Sequence, residues 1–291
     1  MDSTSKLNQP ALLNLGCGPR HRPEWVNVDL HPLAPGILAH DLLLPLPFSD
    51  GSFDLVYHSH VLEHMDRFEA GKFIKECFRV CKPGGIIRVV VPDLENIAEL
   101  YLSSLEQAWD FEPGAEIRYQ WMMLELYDQT VRNTSGGEMA GFLCDPAQKE
   151  KAFAVSRIGK TMFSHLQTRL NTKIDLWTRI RTLKFKKFWY RIRLLLTYGF
   201  ISMMMGKKWR KEFDLVVLRC SGEIHKWMYD RYSLRALLSA AGFVGFKRWS
   251  ADDSYFQGWQ SFHLDTEPDG SVYKPDSLFC EAIKPHAPTP G

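Results

Sequence analysis

Short apolar runs, broken by glycine, proline and carboxylate residues, recur through the first ninety positions. Leu12-Leu13-Asn14-Leu15 stops at Gly16 and Gly18, and Trp25-Val26-Asn27-Val28 stops at Asp29-Leu30. Runs this short between turn residues are the pattern of buried parallel strands. Ile37 to Leu42, Phe53 to His58 and Ile86 to Val91 repeat it. Between the last two, apolar residues at 68, 73, 74, 77, 78 and 81 keep helical spacing and end at Lys82-Pro83-Gly84-Gly85. That predicts an amphipathic helix over 67–82 covering one sheet face. Only Cys17 to Glu24, with two prolines, joins the first two strands. A right-handed crossover needs more chain to hold a helix, so a loop or a single turn is predicted there.

The strand pattern lapses from about Leu94 to Ser221. Leu94 to Trp109 and Ile117 to Val131 carry helical spacing, with a loop over Asn133 to Gly137. It returns after Gly222 with a capped helix over Ser233 to Ala241, a stop at Gly242-Phe243, and strands over Val244 to Trp249 and Ser277 to Ile283. The organisation predicted is a core made of 1–93 and 222–291, interrupted by a helical insertion over 94–221. A chain of 291 residues accommodates that as one α/β unit.

Charge marks a boundary within this insertion. The chain's net +2 conceals fifteen Lys or Arg against the single acid Asp175 over 157–211, leaving the remainder acidic. Within this stretch Phe185, Phe188, Trp189 and Tyr190 interleave with cations, and the apolar run Leu194 to Met205 is too short to span a bilayer. Three readings fit: a helical lid with a solvated basic face, an interfacial helix on an anionic membrane, and, more weakly, nucleic-acid contact without a known motif. No basic-then-apolar leader opens the chain, and six scattered cysteines form no disulfide framework or zinc set. A cytoplasmic protein is expected, with the inner face of a membrane as its peripheral alternative, and no metal is expected from the cysteines.

Glycines at 16 and 18 permit a sharp turn and close approach of a ligand at a strand's carboxyl end, while Asp29 at the end of the next strand suits two ribose hydroxyls. The later blocks, Leu46-Pro47-Phe48-Ser49-Asp50-Gly51-Ser52-Phe53-Asp54-Leu55-Val56, Leu62-Glu63-His64 and Lys82-Pro83-Gly84-Gly85, follow in a fixed order. Together with Leu13-Asn14-Leu15-Gly16-Cys17-Gly18 they resemble the type 11 branch of the class I S-adenosylmethionine-dependent methyltransferases (EC 2.1.1.-).

The resemblance implies a Rossmann-like, doubly wound, seven-stranded sheet, mostly parallel with an antiparallel last strand. It implies S-adenosyl-L-methionine as cofactor, held by Gly16, Cys17, Gly18, Asp29, Leu30, Asp41, Leu42 and the backbone at His58. Arg20, His21 or Arg22 are offered as cations for the methionine carboxylate, in place of the missing helix. Gly222 to Asp230 and the closing Ser277 to Pro285 resemble methyltransferases grouped with polysaccharide and glycolipid biosynthesis, implying a glycan, glycolipid or small-molecule acceptor. Removal of a hydroxyl proton needs a base, and His225, where the insertion rejoins the core, is favoured slightly over His60, beyond the fourth strand. Two alternatives stand beside O-methylation. One is a non-catalytic module docking through its basic insertion, and the other is a small-molecule N- or C-methyltransferase needing no histidine.

Overall fold

The computed structural model describes residues 10–145, 151–171 and 185–286. Seven strands form one sheet in the order β3-β2-β1-β4-β5-β7-β6: β1 (Leu12–Leu15), β2 (Val26–Asp29), β3 (Ile37–Ala39), β4 (Phe53–Ser59), β5 (Cys81–Pro92), β6 (Val244–Trp249) and β7 (Ser277–Ile283). The first five run parallel, and β7 inserts antiparallel between β5 and β6. The strand order therefore reverses between β1 and β4, where the connections part to either side, and ligands of such sheets sit beyond the strand ends at that point.

One face of the sheet is covered by α1 (Arg67–Val80) and α9 (Arg231–Ala240). Each starts on an aspartate cap, Asp66 or Asp230, that accepts the backbone N–H three residues on. Phe73, Ile74, Cys77, Leu234 and Leu238 pack from these helices onto Val56, Ile87 and Val89. α1 ends two residues before the predicted Lys82, because Cys81 already pairs with Phe53 as strand.

Among the described residues, no α-helical layer covers the other face. The long connection from β6 to β7, residues 250–276, folds across it and buries Trp259 and Leu264 against Trp25, Tyr57 and Phe279. A buried ion network pins this connection. Arg88, in the middle of β5, stands in register with Tyr57 on β4 and Glu281 on β7. Its guanidinium donates to Asp265 (2.7 Å), Glu281 (2.8 Å) and the carbonyls of Ser250, Ala251 and Asp253, so all five N–H groups are used. Tyr57 donates its hydroxyl to Asp265 as well, at 2.6 Å.

Between β5 and α9 the described residues are helical: α2 (Leu94–Trp109), α3 (Ala115–Val131), α4 (Gly137–Cys144), α5 (Ala152–Ile158), α6 (Lys160–Asn171), α7 (Phe185–Met205) and α8 (Lys207–Cys220). α2 to α6 make their own core around Trp121, Met122 and Leu143. Inside it Arg157 pairs with Glu125, bonds Asn96 through a second nitrogen, and offers its carbonyl to the Asp276 N–H. Gly159, with φ at +86°, lets α5 and α6 approach the β7 lead-in so closely that a Cβ there would lie 2.3 Å from the Tyr273 carbonyl oxygen. α7 and α8 form a hairpin. Part of the basic stretch, 172–184, lies outside the described residues, as do the side chains of Phe185, Phe188 and Tyr190.

Candidate functional site

The loop after β1 is built around two left-handed glycines. Gly16 (φ +67°) has no room for a side chain, since a Cβ would meet Val61 Cγ2 at 2.4 Å, whereas the space beside Gly18 (φ +49°) is open. Backbone N–H groups of Gly16 and Cys17 both donate to the Val28 carbonyl, and Gly18 donates to Asp29 Oδ2 at 2.9 Å. Asp29 is thus fastened to the glycine bend while each of its oxygens keeps a lone pair for a further donor; Oδ1 already accepts from the His31 N–H.

Beside this bend lies a cavity of about 230 Å³, lined among others by Gly16, Cys17, Gly18, Ser59, His60 and Lys274. The carboxylate end of β2 and the Asp41-Leu42 turn form a shelf next to it, open to solvent. Leu30 is exposed, Leu42 is half-buried, and Asp41 accepts from the Leu43 N–H at 3.0 Å. Of the residues the sequence proposed for a donor, Gly16, Cys17 and Gly18 line the cavity, Asp29 is tied to its rim, and Leu30, Asp41 and Leu42 belong to the shelf. The His58 ring is fully buried against Phe73, and the residue lines neither hollow. Burial lowers its pKa to about 4.

The arginines after the glycines also have partners within the fold. Arg20 bonds the His263 and Thr266 carbonyls, pairs with Glu267 and stacks over Tyr273, while Arg22 bonds the Phe262 and His263 carbonyls. Both clamp the 262–267 segment onto the glycine loop. Arg20 also lines the cavity; Lys274, half-buried, lines it as well and has no ion-pair partner among the described residues. Burial holds its ammonium pKa down, against the opposing charges of Glu63 and Asp276.

A second cavity, of about 190 Å³, lies in the insertion between α3, α4, α5 and α6, lined by Gln129, Arg132, Met139, Ile158 and Asp276 among others. Three residues belong to both hollows: His60, Met162 and Lys274. His60 occupies the junction in a left-handed conformation (φ +53°), its N–H bonded to the Val90 carbonyl. A non-glycine residue held there costs about 1 kcal/mol or more and is characteristic of functional turns. Its Nδ1 lies 3.0 Å from Glu63 Oε1 and its Nε2 2.9 Å from Ser277 Oγ.

His225 is placed differently. It is buried, stacks edge-on against His64 at 4.9 Å, and lines neither cavity. Burial lowers its pKa to about 3, against the attraction of Glu63. Lys274 and Met162 carried no sequence signal, since each stands alone in a segment without a motif. Glu63 had one, in the Leu62-Glu63-His64 block, but its burial under three histidines depends on how residue 225 returns.

Residues 26–89 match the family model described as "Methyltransferase domain". Over 56 residues the chain is 39% identical to a protein of Mycolicibacterium smegmatis described as a "probable S-adenosylmethionine-dependent methyltransferase"; the match takes in 19% of this chain and about a fifth (21%) of that relative's length. Solved structures that resemble it include a SAM-dependent methyltransferase from Archaeoglobus fulgidus (14% identity, 94% of this chain and 86% of that one, TM-score 0.37). Another comes from Methanosarcina mazei (13% identity, 96% and 93%, TM-score 0.38).

Proposed function

We propose that this chain, a member of the S-adenosylmethionine-dependent methyltransferases, methylates a hydroxyl of a glycan, glycolipid or related metabolite where its two cavities meet. The observation that carries this reading is the sharing of His60, Met162 and Lys274 between a glycine-lined hollow and an insertion-lined one. A donor and an acceptor bound on either side would face each other there.

S-adenosylmethionine supplies a methyl group activated on a sulfonium. The open space beside Gly18 and the Asp29 carboxylate fit it: Asp29 would hold the ribose hydroxyls, Asp41 and the Leu42 N–H would hold the adenine edge on the shelf, and Lys274 would hold the methionine carboxylate. Positioning supplies most of the acceleration for an in-line displacement. His60 takes the hydroxyl proton at Nε2, exchanging its contact with Ser277 for one with the acceptor, while Glu63 stabilises the resulting imidazolium through Nδ1. Burial raises the Glu63 carboxyl, but His60, with His64 and His225, brings it well below the usual range, so it stays ionised. His225, away from both cavities, is not the base in this account.

A membrane supplies the acceptor. α7 and α8 leave Leu195, Leu196, Phe200, Met203, Met204 and Trp209 half or more exposed, in a stretch of sequence rich in Lys and Arg. Exposed apolar residues within a Lys- and Arg-rich stretch of sequence suit an anionic lipid interface, and no helix among the described residues is long and apolar enough to cross one.

The experiment is methyl transfer from labelled donor to a panel of glycans and glycolipids, with and without anionic vesicles. Label is expected on a hydroxyl oxygen, with a loss of at least about a hundredfold in His60→Ala, the usual scale of a general base. Labelling on nitrogen or carbon that survives His60→Ala favours the small-molecule N- or C-methyltransferase alternative. No transfer to any acceptor favours the non-catalytic docking module.

A further inference from the structure

Beyond methyl transfer, we infer that Glu63, His64 and His225 form a binding site for one divalent transition-metal ion of the zinc type. Glu63 and His64 lie on the single 3-10 turn (Leu62–His64) that follows β4, and His225 arrives from the far end of the insertion, 161 positions later. The backbone fixes the meeting. Lys226 and Trp227 both donate their N–H groups to the Glu63 carbonyl, at 2.7 and 3.3 Å, and His225 donates to the Gln129 carbonyl. One potential ligand atom from each of the three side chains lies within 4.8 Å of the others. Ligand atoms around zinc sit roughly 3–3.5 Å apart given bonds of about 2.0–2.2 Å, so small side-chain rotations close the set.

The state of each group argues for an ion rather than for a salt bridge alone. Glu63 is fully buried; Oε1 faces His60, and Oε2 has no hydrogen-bond donor among the described residues. His225 is 95% buried and its Nδ1 likewise has no partner among them. A buried carboxylate oxygen and a buried imidazole nitrogen left unmatched within one cluster are costly, and a cation held by the cluster would satisfy both. His64 is already oriented for ligation. Its Nδ1 sits 3.2 Å from the Ile224 carbonyl, which fixes the proton on that nitrogen and leaves Nε2 with its lone pair, the arrangement that backbone carbonyls impose on metal-bound histidines.

Two imidazoles and one carboxylate suit a borderline divalent ion, and three protein ligands leave a tetrahedral position open. None of the ligands is a cysteine, which is why the cysteine pattern of the sequence gave no sign of a metal. A bound ion would rivet the return of the insertion to the turn beside His60, so uptake of metal and stability of the insertion are linked.

The test uses the full chain, stripped with a chelator and exchanged into chelator-free buffer. It is titrated with zinc chloride by calorimetry and with cobalt(II) chloride by absorption spectroscopy. One ion per chain is expected, with a rise in the thermal midpoint and cobalt d–d bands lacking a thiolate charge-transfer band. Glu63→Gln and His225→Gln should each weaken zinc binding at least about tenfold, while His286→Gln, remote from the cluster, leaves it unchanged. Circular dichroism establishes that each variant is folded. Should either buried substitution prevent folding, His64→Gln, at the half-buried ligand, gives the same reading. No stoichiometric uptake, a thiolate band, or unchanged affinity in the folded cluster variants overturns the assignment. These readouts do not depend on methyl transfer, so the site and the proposed activity stand or fall separately.

Discussion

Replacing Arg88 by Met isolates what holds the 250–276 connection to the sheet. Methionine fills much of the arginine volume and keeps the strand, but it removes a guanidinium with no exposed surface that serves two carboxylates and three carbonyls. Asp265 and Glu281, both buried, would then be left as uncompensated charges. Removing one partner of a buried ion pair costs about 3–5 kcal/mol. At roughly 2–4 °C per kcal/mol for a chain somewhat smaller than this one, the thermal midpoint should fall by about 10 °C. Calorimetry on wild type and Arg88→Met measures it, and limited proteolysis should show earlier cleavage within 250–276. Adding Asp265→Asn and Glu281→Gln to Arg88→Met removes the stranded charges and should restore part of the loss, because contacting residues are not additive. A midpoint within about 2 °C of wild type in Arg88→Met, with no new cleavage, would refute the claim that this network anchors the connection.

Two further outcomes follow from the site. His58 is buried with its pKa near 4 against an ordinary 6.5; the unfolded chain takes up a proton that the native state refuses, so stability is full above pH 6.5 and falls as pH drops towards 4. This group contributes roughly 3 kcal/mol across that window, and urea midpoints at pH 7 and 4.5 should differ by less in His58→Leu than in wild type; equal differences count against a neutral buried imidazole. Lys274→Met should weaken binding of S-adenosylhomocysteine by about 1.5–3 kcal/mol, the scale of a hydrogen bond to a charged group. Binding of methylthioadenosine, which lacks the carboxylate, should barely change, and an equal loss for both nucleosides in calorimetry would remove Lys274 from that role.

The parallel strands were legible because each is a short apolar run ending in a turn residue. The loop in place of the first crossover helix followed from the eight residues available between Leu15-Gly16 and Trp25. The connection over the second face was not legible: its core residues Trp259, Leu264 and Asp265 are spaced irregularly, and their partners lie on β1, β4 and β5. One trace of it was present, an arginine inside Ile86 to Val91, since a lone charge in a doubly covered strand requires buried partners. The glycine bend and Asp29 are neighbours in the fold as their motif implied. His60 and His225 look alike in sequence, and only the packing of α3 to α6 against residues 272–276 separates the one at the cavity junction from the one beneath it.

The central claim is that a sulfonium nucleoside is held between the glycine bend and Asp29. Calorimetric titration of S-adenosylmethionine into the wild-type chain and into Asp29→Ala tests it most directly. One site per chain is expected, weakened at least about a hundredfold in the variant, since a carboxylate accepting two ribose hydroxyls is worth about 3 kcal/mol or more. Absence of binding to the wild type, or equal affinity in the two proteins, would contradict the account.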